Sequence, residues 1–332
     1  MKAIHTSAPG KVILFGEHAV VHDRLGIAGA IGMRASVSFV PRDDDGVILH
    51  LPKYLKDEEL TLTQCVNFYK EIARLKELKD FDGLRLLNKD PINPLKAVVG
   101  FLKPSMGFEA TFNSDLMKNT GSGSAVFSSL AAAILYRDNA FDRRKVAAAA
   151  YEGDVVAHAG LPSGIDNSTV TYGQYLTFKR SLGPQPLQIN FKIPLVIVDS
   201  GTPANTGDMV MMVKKRLERE PNEVNQLLDS IDQVSHKAME AIKKGETLKT
   251  LGGLMNNNHE LLQKLGVCTK QLDDIVTTAR LNGALGAKMT GGGGGGSIIV
   301  LTEHPKRLAE KFGDDGFRAY ATLVGAEGVR LE

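Results

Sequence analysis

The chain predicts an α+β fold, and three observations carry that prediction. The first third holds short Val/Ile-rich runs separated by turn residues, as strands do. The middle and the second half carry apolar stripes at helical spacing. The mixed N-terminal half then gives way to a smaller strand-and-helix half, with the boundary expected at "PQPLQINFK" (184–192). Two regions, 1–187 and 188–332, are expected from that change.

In order, "KVILFG" (11–16), "AIGMRASVSFV" (30–40) and "GVILHL" (46–51) read as strands. "LTQCVNFYKEIARLKEL" (62–78) has helical spacing through Val66, Ile72 and Leu75. "PLKAVVGFL" (94–102) is a helix with Pro94 in its first turn, and "GFEATFNS" (107–114) is a strand. Phe127, Leu130, Ala131, Ile134 and Leu135 form a helix stripe, so the "TGSGS" before them sits at a helix amino terminus. A further helix covers 142–158, with Asp142 as its N-cap. "YLTFKR" and "KIPLVIVDS" are strands, and "HAGLPSGIDNSTVTYG" (158–173) is a polar turn before the first of them. Helices at 221–245 and 269–283 follow. "SIIVLT", a helix at "PKRLAEKFG" and a strand near "RAYATLV" close the chain.

Bulk properties exclude several classes. Forty basic and 38 acidic residues leave a net charge of only +2, with no basic cluster to meet nucleic acid or an acidic membrane. An apolar content of 43% fits a packed globular chain. Two scattered cysteines, Cys65 and Cys268, make neither a disulfide framework nor a zinc site. The amino-terminal stretch "MKAIHTSAPGKVILFGEH" has no signal-peptide core, and no run reaches membrane-spanning length. A cytoplasmic location is expected.

Three polar stretches could carry chemistry. "NTGSGSA" (119–125) places glycines and serines where a helix dipole favours an anion, although an ordinary cap has the same composition. "TGGGGGGS" (290–297) contains six glycines in a row and reads as a phosphate-approaching loop or a flexible hairpin. It leads into a strand, so it is not a Walker A loop, and the protein-kinase motif set is missing. Asp166 in "PSGIDN" reads as a turn residue or a catalytic carboxylate. His18 and His22 lack a third metal ligand, which sets zinc aside.

Taken together and in this order, "APGKVILFGEHAVVH", "NTGSGSA", "PSGIDNSTVTYG", "LMNNNHELLQKLGV" and "GALGAKMTGGGGGGS" resemble the GHMP kinase superfamily over nearly the whole chain. The resemblance is closest to its mevalonate-phosphorylating branch. It implies a ribosomal-protein-like N-terminal domain, a ferredoxin-like C-terminal domain and ATP-dependent phosphorylation of the mevalonate 5-hydroxyl. Another alcohol or phosphorylated alcohol (phosphomevalonate, a sugar) and a catalytically silent binding protein are the competing readings. Asp166 would be the catalytic carboxylate and Lys11 its neighbour, while Glu17, His18 and Thr206 would hold the substrate. Lys118, Asn119, Thr120, Gly121, Ser122, Gly123, Ser124, Gly293 and Gly294 would contact ATP. Ser124 and Asp154 would hold Mg2+, with Glu152 as the fallback for Asp154. A homodimer is expected.

The sequence departs from the superfamily at Met117, where proline is usual, at "GSGSA" for "GLGSSA", and at Gln174 for a second glycine. Depending on one deletion, either Ser124 or Ala125 falls at the metal-binding serine. Valine at Gly293 or Gly294 is expected to weaken activity with little loss of thermal stability.

Overall fold

The computed structural model describes residues 2–117, 119–160, 162–189, 191–204 and 206–332. Lys118, one of the expected ATP contacts, lies outside these residues.

Strands β1 (Ile4–Phe15), β2 (Gly26–Pro41), β3 (Gly46–Leu51) and β4 (Lys56–Thr61) open the chain, followed by helices α1 (Leu62–Leu78), α2 (Phe81–Leu87) and α3 (Asn93–Leu102). Next come β5 (Phe108–Ser114), α4 (Ser122–Arg137), α5 (Arg143–Ala157), α6 (Ile165–Tyr172), β6 (Tyr175–Lys179) and β7 (Gly183–Pro186). The second half holds β8 (Ile193–Asp199), α7 (Thr206–Arg219), α8 (Pro221–Lys244), α9 (Leu248–Leu265), α10 (Lys270–Leu281), β9 (Gly286–Thr290) and β10 (Ser297–Leu301). Then α11 (Pro305–Asp314), β11 (Arg318–Val324) and β12 (Arg330–Leu331) end it. Among the described residues no helix is long and apolar enough to cross a membrane.

The main path of the mixed sheet runs β4-β3-β5-β2-β11-β8-β10-β9, with β1 and β6 also on β2. Along that path its two halves join where Val324 of β11 pairs with Ile31 of β2. The last residues return to the first half, where β12 pairs with β1.

Continuous apolar runs, rather than alternation, explain why β8 and β10 are buried on both faces. Leu195, Ile197, Ile299 and Leu301 join the main core with Val12, Leu14 and Ile31. Val196, Val198, Ile298 and Val300 face a second core with α8, α9, α10 and α11. Each such side chain contributes roughly 1.5–3 kcal/mol on burial.

Several elements escape the sequence reading. Strand β4 is "KDEELT", a charged edge strand paired only with β3, so no apolar alternation marks it. Helix α2 has seven residues and one buried side chain, too few to show a period. Gly252 and Gly253 mask α9; a Cβ on Gly252 would lie 2.4 Å from the Leu285 carbonyl oxygen, so this glycine lets the helix lie against the start of β9.

The largest correction concerns Asp166. It stands in the first turn of α6, not in an irregular turn. "IDNSTVTY" is rich in residues that compete with helical hydrogen bonding. Tertiary packing overrides that tendency. Ile165 and Val170 are buried, Ser168 and Thr169 donate to carbonyls four residues back at 2.6 Å, and Ser128 and Thr171 pair at 3.0 Å.

Candidate active site

The site grows from β1. Its register against β2 shifts between Pro9 and Lys11, and the Lys11 N–H donates to the Thr120 carbonyl at 2.8 Å. That bond holds β1 against the loop entering α4. Gly121 begins the helix with φ 74°, and a Cβ there would lie 2.8 Å from Lys11 Cγ. Glycine therefore leaves room for the lysine stem. Lys11 Nζ reaches Asp166 Oδ1 at 2.7 Å, with the lysine side chain only 4% exposed.

Burial pushes the Asp166 carboxyl up, but the charges of Lys11 and His158 outweigh it and hold it below the usual carboxylate range. His158, at the end of α5, places Nε2 4.0 Å from Asp166 Oδ2. Burial lowers the pKa of its imidazole, and the attraction of Asp166 only partly offsets this.

One helical turn earlier on α5, Asp154 accepts a hydrogen bond from Ser124 Oγ at 2.7 Å. Asp154 is 1% exposed, and its Oδ2 has no partner among the described residues. Burial and then the neighbouring Asp166 charge push its carboxyl well up. An orphaned, buried carboxylate oxygen beside a hydroxyl is what a hard cation requires. Glu152, the fallback for that role, is placed differently. It lies outside the wall of the central cavity and is bound to Lys76 at 3.0 Å.

The turn after β1 supplies Glu17 and His18. Glu17 Oε1 pairs with Lys288 Nζ in a fully buried ion pair, while Glu17 Oε2 has no partner among the described residues. Burial presses the Glu17 carboxyl up and the Lys288 ammonium down, each against the attraction of the other. His18 adopts φ 60° and donates from Nε2 to the Gly292 carbonyl at 2.8 Å. Because a carbonyl only accepts, Nε2 carries the proton. Burial lowers the imidazole pKa to about 4 despite that bond, so the ring is neutral near pH 7.

The glycine run forms the loop of the β9–β10 hairpin, closed by the Ser297–Thr290 pair. Five of its six residues have positive φ. It is packed, not floppy. A Cβ on Gly293 would meet the Val267 carbonyl oxygen at 2.3 Å. Gly293→Val is therefore expected to cost roughly 2–5 kcal/mol of stability, from backbone strain plus overpacking. This replaces the expectation of little loss in thermal stability, while the expected loss of activity stands, and denaturant unfolding checks it. An unchanged midpoint would mean the loop relaxes as a linker does.

These groups share a cavity of about 300 Å³. Of the residues expected from the sequence, Lys11, Glu17, His18, Asn119, Gly121, Ser122, Gly123, Ser124, Asp154, Asp166 and Thr206 line it. Three do not. Thr120 is buried, with its hydroxyl donating to the Met117 carbonyl at 2.7 Å. Gly293 and Gly294 turn toward Val267 and Met209, and the run contributes Gly291 and Gly292 to the wall instead.

Sequence reasoning missed His158 and Lys288 as members of the site's network. His158 had a readable signal, since it stands four residues after Asp154 on the same helical face. Lys288 stands in the quoted "GALGAKMTGGGGGGS", but nothing local marks that lysine as buried, since its partner Glu17 lies at the other end of the chain.

Residues 238–316 match the family model described as GHMP kinases C terminal. A mevalonate kinase of Pyrococcus horikoshii is 30% identical over 344 aligned positions, spanning 100% of this chain and 98% of the relative. A mevalonate kinase of Arabidopsis thaliana is 26% identical over 385 positions, covering 99% of each. Among solved structures, L. major mevalonate kinase in complex with R-mevalonate superposes with a TM-score of 0.74 at 27% identity, over 99% of this chain and 97% of that one. The Methanococcus jannaschii mevalonate kinase, with a TM-score of 0.77 at 24% identity over 98% and 99% of the two chains, shares the fold. With that full-length identity joined to the same fold, this chain belongs to the mevalonate kinase family of the GHMP kinases.

Proposed function

We propose that this chain transfers the γ-phosphoryl group of ATP to the 5-hydroxyl of mevalonate, giving 5-phosphomevalonate and ADP. One observation supports this reading above others. The Lys11–Asp166 pair, with its lysine buried, and the Ser124–Asp154 pair, with its orphaned oxygen, line one cavity.

Phosphoryl transfer asks mainly for positioning and charge neutralisation. Asp166 stays ionised beside Lys11 and accepts a hydrogen bond from the attacking hydroxyl. A carboxylate of reference pKa about 3.9 is a weak base toward an alcohol. It therefore orients the oxygen first and takes the proton late, as the new O–P bond forms. Lys11 balances the negative charge gathering there. Ser122, Gly123 and Ser124 form the first turn of α4, whose N–H groups lack helical acceptors and suit phosphate oxygens. Asn119 and Gly121 would extend that cradle.

Ser124 and Asp154 would hold Mg2+, which when bound neutralises phosphate charge. Glu17, His18 and Thr206 would hold mevalonate at the mouth of β1 and α7. Ile13, Val20, Val21 and Val210 line the same cavity and limit water. In this reading residues 1–187 supply the ATP and catalytic groups, and 188–332 complete the substrate side. A homodimer is part of the proposal and is checked by light scattering.

ADP release measured with ATP and magnesium over mevalonate, 5-phosphomevalonate, galactose and homoserine tests the substrate. Mevalonate is expected to give the highest kcat/KM by far. A higher value for any other member overturns the substrate and spares the fold.

A further inference from the structure

Lys288 carries a charge that nothing assigned so far requires. It is fully buried on β9, in the half of the chain opposite Lys11 and Asp166, and it is not part of the cavity wall. Its ammonium is held by two acceptors, Glu17 Oε1 and the Met289 carbonyl, the latter at 2.7 Å. Glu17 does line the cavity, and its second oxygen is unpartnered. Two residues on in β9, Thr290 fixes the frame, since its Oγ1 accepts from the Ile13 N–H at 2.9 Å and donates to the Ile13 carbonyl at 3.0 Å.

Stability alone does not explain such a pair. Two buried charges pay desolvation that an apolar pair of the same size avoids, and the apolar replacement is often as stable. What the pair does supply is a fixed anionic acceptor. With Oε1 held by Lys288, Glu17 presents Oε2 as an oxygen that must take a hydrogen from a ligand. A substrate carboxylate would be repelled there, so a substrate hydroxyl is the group it fits.

We infer that Lys288 is a positioning residue, setting the placement and charge of Glu17 Oε2 so that it accepts a hydrogen bond from a hydroxyl of the alcohol substrate. This rests on the mevalonate reading above for the identity of that alcohol. Lys288 itself touches no reacting atom. The charges of Lys288 and Lys11 draw the Glu17 carboxyl down against its burial, and the charge of Glu17 supports the Lys288 ammonium against its own.

The test is a double-mutant cycle on the full-length enzyme with Lys288→Met and Glu17→Gln. Lys288→Met should raise KM for mevalonate about tenfold or more while KM for ATP stays within about twofold, a loss of substrate binding alone. It also strands a buried carboxylate and should unfold more easily. Glu17→Gln/Lys288→Met removes that lone charge and should recover the melting temperature. Its KM for mevalonate should equal that of Glu17→Gln, because Lys288 acts only through Glu17. A Lys288→Met enzyme with normal KM for mevalonate overturns the inference. So does a double variant far worse than Glu17→Gln, which remains measurable if the single variant does not fold. Wild-type inactivity on mevalonate would overturn the substrate reading alone. The same cycle, run on whichever alcohol the enzyme does phosphorylate, then still decides Lys288.

Discussion

Asp166→Asn is expected to lower kcat by about 10²–10⁴-fold, the range supplied by a positioned base, with KM for ATP nearly unchanged. The asparagine keeps the shape and loses both the charge and the basicity. Its second effect falls on Lys11, whose buried ammonium sits 2.7 Å from Asp166 Oδ1 and loses its partner. The melting temperature should therefore fall as well. Lys11→Met/Asp166→Asn should recover stability but not turnover, which separates the two effects.

The pH dependence follows from the same pair. The folded carboxyl is held below its unfolded value, so its stabilising contribution is fully present above the unfolded pKa of about 3.9. It is lost as pH falls through the lower, folded value. Acid unfolding of Asp166→Asn should lack that component. An Asp166→Asn enzyme with near-normal kcat would move the catalytic role elsewhere.

Asp154→Asn is expected to raise the magnesium concentration for half-maximal rate by more than the roughly 10–100-fold lost with an outer partner of a metal site, and to depress kcat. The melting temperature of the metal-free protein should hold or rise, because the variant removes a buried carboxylate with an unpartnered oxygen. Ser124→Ala should act in the same direction more weakly. Glu152→Gln should leave the magnesium dependence alone and weaken the Lys76 contact instead. The reverse pattern, with Glu152 sensitive and Asp154 silent, would place the metal on the other face of α5.

Long periodic elements were readable from the chain because each carries its own burial pattern. Helix α1 begins and ends at Leu62 and Leu78 as its stripe indicates, and Asp142 caps α5 by accepting from Arg144 and Lys145. Strand β3 spans Gly46–Leu51 as its alternation requires. Elements whose reason lies elsewhere in the molecule were not readable. Helix α6 is held by its neighbours against its own composition, and β4 exists because β3 offers it an edge.

The same division runs through the site. Lys11 and Asp166 were named by motif because their local sequence context is distinctive, whereas Ser124 and Asp154 were named with Ala125 and Glu152 as alternatives because the sequence departs from the family there. Their assembly is tertiary: a β1 bulge, a helix start and two helix turns must converge before a 2.7 Å pair forms. The glycine run announced a constrained loop, but which glycines face the cavity depends on the approach of Val267 and Met209 from α7 and the loop after α9. Lys288 lies at the far limit. By itself the sequence determined the strongly periodic elements and the family, because periodicity and motif are local properties of the chain. The tertiary structure alone decided which charges share one buried space, because pairing and desolvation act between residues as distant as Glu17 and Lys288.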